Sequence, residues 1–184
     1  MNPDILRYDL KPPHLFPEWR RGPLFFVGGC CCVGFVPKKD MLLAESSNGM
    51  GLFDLIAGRR IARNSGHQSS PEQSRALVAP GFDVLEGRLI PMAGIWGGGL
   101  RTTTADGFML LSQAPNWPEE RIVMERFHIG PNTPRSLVEQ DLVTTLIAYG
   151  FSDTGNTFVV ATSSDLSTFV RVDLNDPVRG KLTT

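Results

Sequence analysis

Two stretches of this chain follow one pattern, and that doubling limits the fold more than any other feature. The segment Gly34-Phe35 through Ser46-Ser47 aligns without a gap on Gly150-Phe151 through Thr162-Ser163. Both run on to an aromatic, Phe53 or Phe169, at the same offset of 116 residues. Internal similarity at a fixed offset marks a repeated supersecondary unit that buries its apolar faces by stacking on neighbours. A shorter echo, Ala105 to Ser112 on Lys39 to Ala44, predicts a third and more diverged unit.

Turn signals divide these units into strands. In the first, Leu24 to Phe35, Met41 to Glu45, Met50 to Leu55 and Arg59 to Arg63 are strand-like runs separated by Pro37-Lys38-Lys39-Asp40, Asn48-Gly49 and Ala57-Gly58. We expect Asn48-Gly49 to form the hairpin turn, because both residues tolerate positive φ. Phe108 to Gln113 and Arg121 to Phe127 are strands of the middle unit, and Thr157 to Thr162 and Thr168 to Asp173 belong to the last. Ser136-Leu137-Val138-Glu139 has capping-box spacing, so one helical turn is predicted over Leu137 to Gln140 before a strand reaching Phe151. Near the start, a short strand is expected over Ile5 to Leu10. The proline-rich approach Pro12 to Pro17 excludes a helix and should drape over the body, anchored by Leu15, Phe16 and Trp19.

The predicted fold is therefore all-β, one domain of about three blade-like antiparallel meanders. Residues 1–23 form a strand and proline-rich arm, 24–63 a first meander, 64–83 a polar loop, 84–128 a second meander, 129–141 a connector, and 142–184 a third meander with its tail. Gly150-Phe151-Ser152-Asp153-Thr154-Gly155 and Leu52-Phe53-Asp54-Leu55-Ile56-Ala57-Gly58 resemble the turns and strand ends of β-propeller blades of the WD40 and YVTN kind. The resemblance covers Gly34 to Arg63 and Leu142 to Leu174. It implies a stacked sheet meander and no particular activity. A propeller closes with about four to eight blades. Half the 116-residue offset is about 58 residues, longer than a propeller repeat of about 40 to 45, so a standard closed ring is not expected. Closure by dimerisation is an alternative route.

Composition narrows the function classes. Among 184 residues, 41% are apolar and 20% charged, with a net charge of −1, which is ordinary for a globular chain and gives no electrostatic case for a nucleic-acid or anionic-membrane binder. No uninterrupted apolar span reaches membrane length, and the start Met1-Asn2-Pro3-Asp4 lacks a basic region followed by an apolar run, so a cytoplasmic location is expected. The only cysteines are consecutive, Cys30, Cys31 and Cys32. Regular strand alternation would put Cys30 and Cys32 on one face and Cys31 on the other, which suits neither a tetrahedral metal site nor an ordinary disulfide.

No catalytic constellation is legible. Trp96-Gly97-Gly98-Gly99-Leu100-Arg101-Thr102-Thr103 has the glycines of an anion-cradling nest but no following Gly-Lys-Ser/Thr. An enzyme or small-molecule binder built here would need the Gly97 to Thr103 loop, Asp106, and His67 or His128. The histidines His14, His67 and His128 have no metal-ligand spacing. No cofactor or metal is expected.

The better clue is a set of interface-prone side chains: Trp19, Trp96 and Trp117 beside loop-forming residues, the edge Arg59-Arg60-Ile61-Ala62-Arg63, and Arg101. These are the candidate partner-binding residues. The leading expectation is a non-enzymatic protein-binding module, such as an inhibitor of the kind that bacterial toxin-neutralising immunity proteins represent. A structural subunit completing a β assembly is the third class.

Overall fold

The computed structural model describes residues 15–116, 119–127, 134–139, 142 and 144–172. The strand expected over Ile5 to Leu10, the prolines at 12 and 13, and the tail beyond Val172 lie outside them. Among the described residues the chain forms fourteen strands in four antiparallel sheets, with no closed barrel.

Sheet I is the first meander: β2 (Cys30–Phe35), β3 (Met41–Ser46), β4 (Gly49–Asp54) and β5 (Arg59–Asn64), in that spatial order. Sheet II holds the second copy, β12 (Leu146–Phe151), β13 (Thr157–Thr162) and β14 (Asp165–Arg171). The offset of 116 carries β2 onto β12 and β3 onto β13 end for end, and β4 onto the first six residues of β14. Sheet III is β9 (Phe108–Asn116), β10 (Glu119–Arg126) and β11 (Arg135–Glu139). A two-stranded ribbon, β6 (Val78–Pro80) with β7 (Leu89–Pro91), and the short β8 (Ala93–Gly94) on the free edge of β2, complete the set.

Sheet II takes its fourth strand from the other end of the sequence. β1 (Trp19–Phe26) pairs antiparallel with β14, from Trp19↔Arg171 to Phe26↔Asp165. The first meander therefore begins at Cys30, and Leu24 to Phe26 belong to the third. The turn at Val27-Gly28-Gly29, with Gly29 at φ +72, separates the two. Pro23 sits in β1 at a register shift, where an edge strand tolerates the missing N–H, and Thr168 Oγ1 donates to the Pro23 carbonyl at 2.6 Å.

The sheets stack in the order ribbon, I, II, III, and the repeat dictates the sense. Leu42 and Ala44 of β3 pack toward Val159, Ala161 and Leu166 of sheet II. Their counterparts Phe158 and Val160 pack toward Phe108, Leu110, Ile122 and Met124 of sheet III. Leu43, on the reverse face of β3, meets Ala79, Phe82 and Ile90 of the ribbon and its connection. Equivalent faces point the same way along the stack, so the two copies are related head to tail and not back to back. Strands β3 and β13 are covered on both faces, which is why they read as near-continuous apolar runs without alternation.

Two predicted elements differ. Arg135–Glu139 is strand β11, paired with β10 through Val123↔Leu137 and Met124↔Ser136, not a helical turn. Leu137 and Val138 are buried at 2% and 0% exposure, so burial against neighbouring strands overrides the local capping pattern. Gln140 lies outside the described residues. The loop over 64–83 contains the one α-helix among the described residues, α1 (Pro71–Arg75), with a true capping box between Ser70 and Gln73. In the β3–β4 hairpin, Ser46↔Gly49 closes the loop, so Ser47 and Asn48 are the central residues and positive φ falls on Gly49 alone.

The equivalent turns of sheets I and II are locked together. Asp40 Oδ1 accepts from Ser152 Oγ at 2.7 Å, Thr154 Oγ1 at 2.6 Å and Thr157 Oγ1 at 2.9 Å, and the Lys38 N–H donates to Asp153 Oδ2 at 3.0 Å. Thr157 is fully buried, so removing this acceptor strands a hydroxyl that water cannot reach, while Ser152 Oγ keeps only Thr154 Oγ1 at 3.0 Å as a hydroxyl partner. Asp40→Ala is expected to lower stability by about 1–3 kcal/mol in denaturant melts. Asp40→Asn, which retains one acceptor oxygen, is expected to lose less; equal losses would show that the hydroxyl cage is not what the carboxylate supports.

Candidate functional site

Candidate partner-binding residues occupy four different environments. Trp19 is a correction: it is 3% exposed and sits among Phe108, Phe151 and Phe158, with ring centroids 5.8, 5.5 and 5.0 Å away. Completing the edge strand of sheet II turns it inward, so it is core and unavailable to a partner. Arg101 is exposed on the strap Leu100 to Thr104, which bridges sheets II and III: Phe151 N–H donates to the Arg101 carbonyl at 2.7 Å and Leu110 N–H to the Thr102 carbonyl at 2.8 Å. Trp96 is 65% exposed and lines an open groove of about 600 Å³ with Ser69, Pro71, Ser74 and Arg75. Trp117 lies outside the described residues.

Arg60 and Arg63 come together. They line a cleft of about 190 Å³ between sheets I and II, with Phe26, Val27 and Gly28 on one wall, Gly51 and Phe53 on the other, and the β3–β4 hairpin at its end. The register of β4 on β5 shifts between Leu52↔Ala62 and Phe53↔Arg60, leaving Ile61 as an extra residue. That bulge places Arg60 and Arg63 on one side of β5, where strict alternation would have separated them. Phe26 is 81% exposed at the rim while its neighbour Phe25 packs on Phe53 at 4.8 Å. Phe26 was not singled out from sequence, although strand alternation requires one of two adjacent phenylalanines to face outward.

The arginines of β5 differ from those elsewhere. Arg21 pairs with Glu139 at 2.6 Å and lies over Phe169; Arg126 pairs with Glu18 at 2.8 Å and lies over Phe108; Arg171 pairs with Asp106 and lies over Trp19. Arg59, Arg60 and Arg63 are exposed and have no carboxylate, hydrogen-bond acceptor or ring partner among the described residues. Among the described residues no acidic side chain lines the cleft.

Part of the glycine-rich loop is hydrogen-bonded to itself. Gly97 N–H is used by the Gly94 carbonyl at 2.9 Å, so one donor of the expected nest is spent. An adjoining open cavity of about 320 Å³ is lined by Gly98, Gly99, Thr102, Glu120 and Tyr149, among others, but by neither Asp106 nor His67. Asp106 is engaged by Arg171, whose hydrogen bond holds its carboxyl below the ordinary range. His67 lies near Phe82, with ring centroids 6.4 Å apart. His14 and His128 lie outside the described residues. Gly150 lies under the strap: a Cβ there would meet the Leu100 Cβ at 2.4 Å and the Arg101 carbonyl at 2.8 Å.

The cysteines depart from simple alternation because β2 carries a bulge between Cys30↔Ser46 and Cys32↔Glu45. Cys30 faces the core between sheets I and II, whereas Cys31 and Cys32 both lie toward the ribbon. Glu45, 7% exposed, accepts from the Ser69 N–H and Oγ, both at 2.7 Å, and from Cys32 Sγ at 3.5 Å, tying the segment before α1 to β3. No group of three or more His, Cys, Asp or Glu side chains among the described residues is arranged to hold a metal.

No protein-family model and no curated protein matches this chain.

The cysteine geometry makes reactivity unequal. Interaction with the Cys32 thiol holds the half-buried Cys31 thiol below its ordinary value of 9.0, whereas burial pushes Cys30 up to about 12 and the same interaction with Cys31 raises Cys32. Only the thiolate alkylates. Iodoacetamide with peptide mapping is therefore expected to modify Cys31 first, its rate climbing with pH at lower pH than in the denatured chain. Cys32→Ala should move that profile upward; uniform labelling of all three cysteines would contradict it.

Proposed function

We propose that this protein is a non-enzymatic protein-binding module, an inhibitor or adaptor of which a toxin-neutralising immunity protein is the concrete form. The observation that carries the reading is the meeting of Phe26, at the end of β1 in sheet II, with Arg60 and Arg63 of β5, the edge strand of sheet I. It combines an 81% exposed aromatic with two arginines that have no side-chain partner among the described residues. Exposed aromatic and arginine side chains are the groups that most often dominate protein interfaces. They sit on strands and a tight turn of the stacked body, so little ordering is needed on binding. An enzymatic reading would need Asp106 with His67 or His128 at the glycine-loop cavity; neither Asp106 nor His67 lines it, and His128 lies outside the described residues.

A photo-crosslinking amino acid at Phe26, activated in cells, tests this directly. The expected outcome is a discrete adduct with a different protein, absent when the same group replaces Val84, which is 64% exposed on the opposite side of sheet I. No adduct at Phe26, or an adduct only with a second copy of this chain, would overturn the reading.

A further inference from the structure

We infer that the cleft formed by Phe26, Arg60 and Arg63 captures a carboxylate side chain presented by an acidic segment of the partner protein. The inference rests on the protein-binding reading and names the chemistry of the group bound. Two arginines line one small space, and no acidic residue lines it among the described residues. An arginine fork matches a carboxylate through paired N–H donors, and a water-excluding wall strengthens that bond. Phe53, 3% exposed with its ring lying over Gly51, supplies such a wall, and Phe26 stands at the rim.

Size selects the source of the carboxylate. At about 190 Å³ the cleft is smaller than the roughly 300–1,000 Å³ of pockets that enclose a whole small molecule. It admits one side chain, the rest of the ligand remaining outside. The edge of β5 is poorly suited to adding a full partner strand, because the extra residue at Ile61 interrupts its register and its arginines guard it. Recognition is therefore by side-chain insertion beside β5 and not by sheet extension.

The test pans a display library of short random peptides on the intact protein and measures selected peptides against the wild type, R60E/R63E and R60K/R63K. Selected sequences should be enriched in Asp or Glu, and their affinity should fall about tenfold or more in R60E/R63E. R60K/R63K should fall between, since lysine keeps the charge without the fork. Binding should weaken as salt rises. Unchanged thermal midpoints establish that these exposed substitutions leave the fold intact. Recovery of no peptides, peptides without acidic enrichment, or equal binding to R60E/R63E would overturn the inference. So would inorganic phosphate binding to the arginines as tightly as the peptides, which would identify a free-anion site. A Phe26 crosslink that survives in R60E/R63E would remove the carboxylate inference and leave the protein-binding reading standing; loss of that crosslink even in the wild-type background would remove both.

Discussion

The face that sheet I presents to sheet II is the constraint on which the rest of the structure depends. Val33, Phe35, Leu42, Ala44, Phe53 and Leu55 meet Val159, Ala161 and Leu166 there, and each fully buried side chain of this size contributes on the order of 1.5–3 kcal/mol. Because the copies stack head to tail, sheet II is left with the next equivalent face uncovered, and sheet III must cover it. Sheet I is left with its reverse face, which the ribbon and the segment around Phe82 and Leu85 cover. A doubled meander therefore demands caps at both ends, and the middle and 64–94 segments supply them. The Asp40 cage holds the two copies in register at one end of this interface.

The doubled unit was legible because β2, β3 and β4 reappear as β12, β13 and the first six residues of β14, with connections of the same length. What sequence did not show was which edges meet. Pairing of β1 with β14 spans almost the whole described chain, and nothing local in Trp19–Phe26 distinguishes joining sheet II from leading into sheet I. The two capping-box patterns make a similar point. Ser70-Pro71-Glu72-Gln73 forms a helix where a polar loop was expected. Ser136-Leu137-Val138-Glu139 forms a strand because Leu137 and Val138 are both buried. Bulges were equally invisible: an extra residue at Ile61 gathers Arg60 and Arg63, and one at Cys31 sets the cysteines on faces that alternation would not assign.

Charge is distributed by the same logic. Around sheets II and III, arginines cover the ends of aromatic side chains and are neutralised by Glu18, Asp106 and Glu139, so they act as lids on the core. These pairs are partly exposed, and each contributes little stability by itself. Their role is to bring a guanidinium over a ring without leaving net charge beside it. On β5 the ring of Phe53 is covered by Phe25, and among the described residues no carboxylate lines the adjoining cleft.

A stack whose inner strands are buried on both faces has few positions free to serve a partner. Substitution in β3 or β13 disturbs two cores at once, and the strap over Gly150 leaves no room for a larger side chain at that crossing. The outer strands and the turns between sheets face water on one side, so side chains there change without loss of packing. Phe26 and the β5 arginines occupy such positions, as do Trp96 and Arg75. The second pair borders the segment that Glu45 fastens to β3, so its placement depends on a buried carboxylate held by one serine. The first pair is fixed by strand pairing and a bulge, which require no side-chain latch. A binding surface mounted on sheet backbone keeps its geometry through loop motion, which makes the cleft at Arg60 and Arg63 the better-organised of the two.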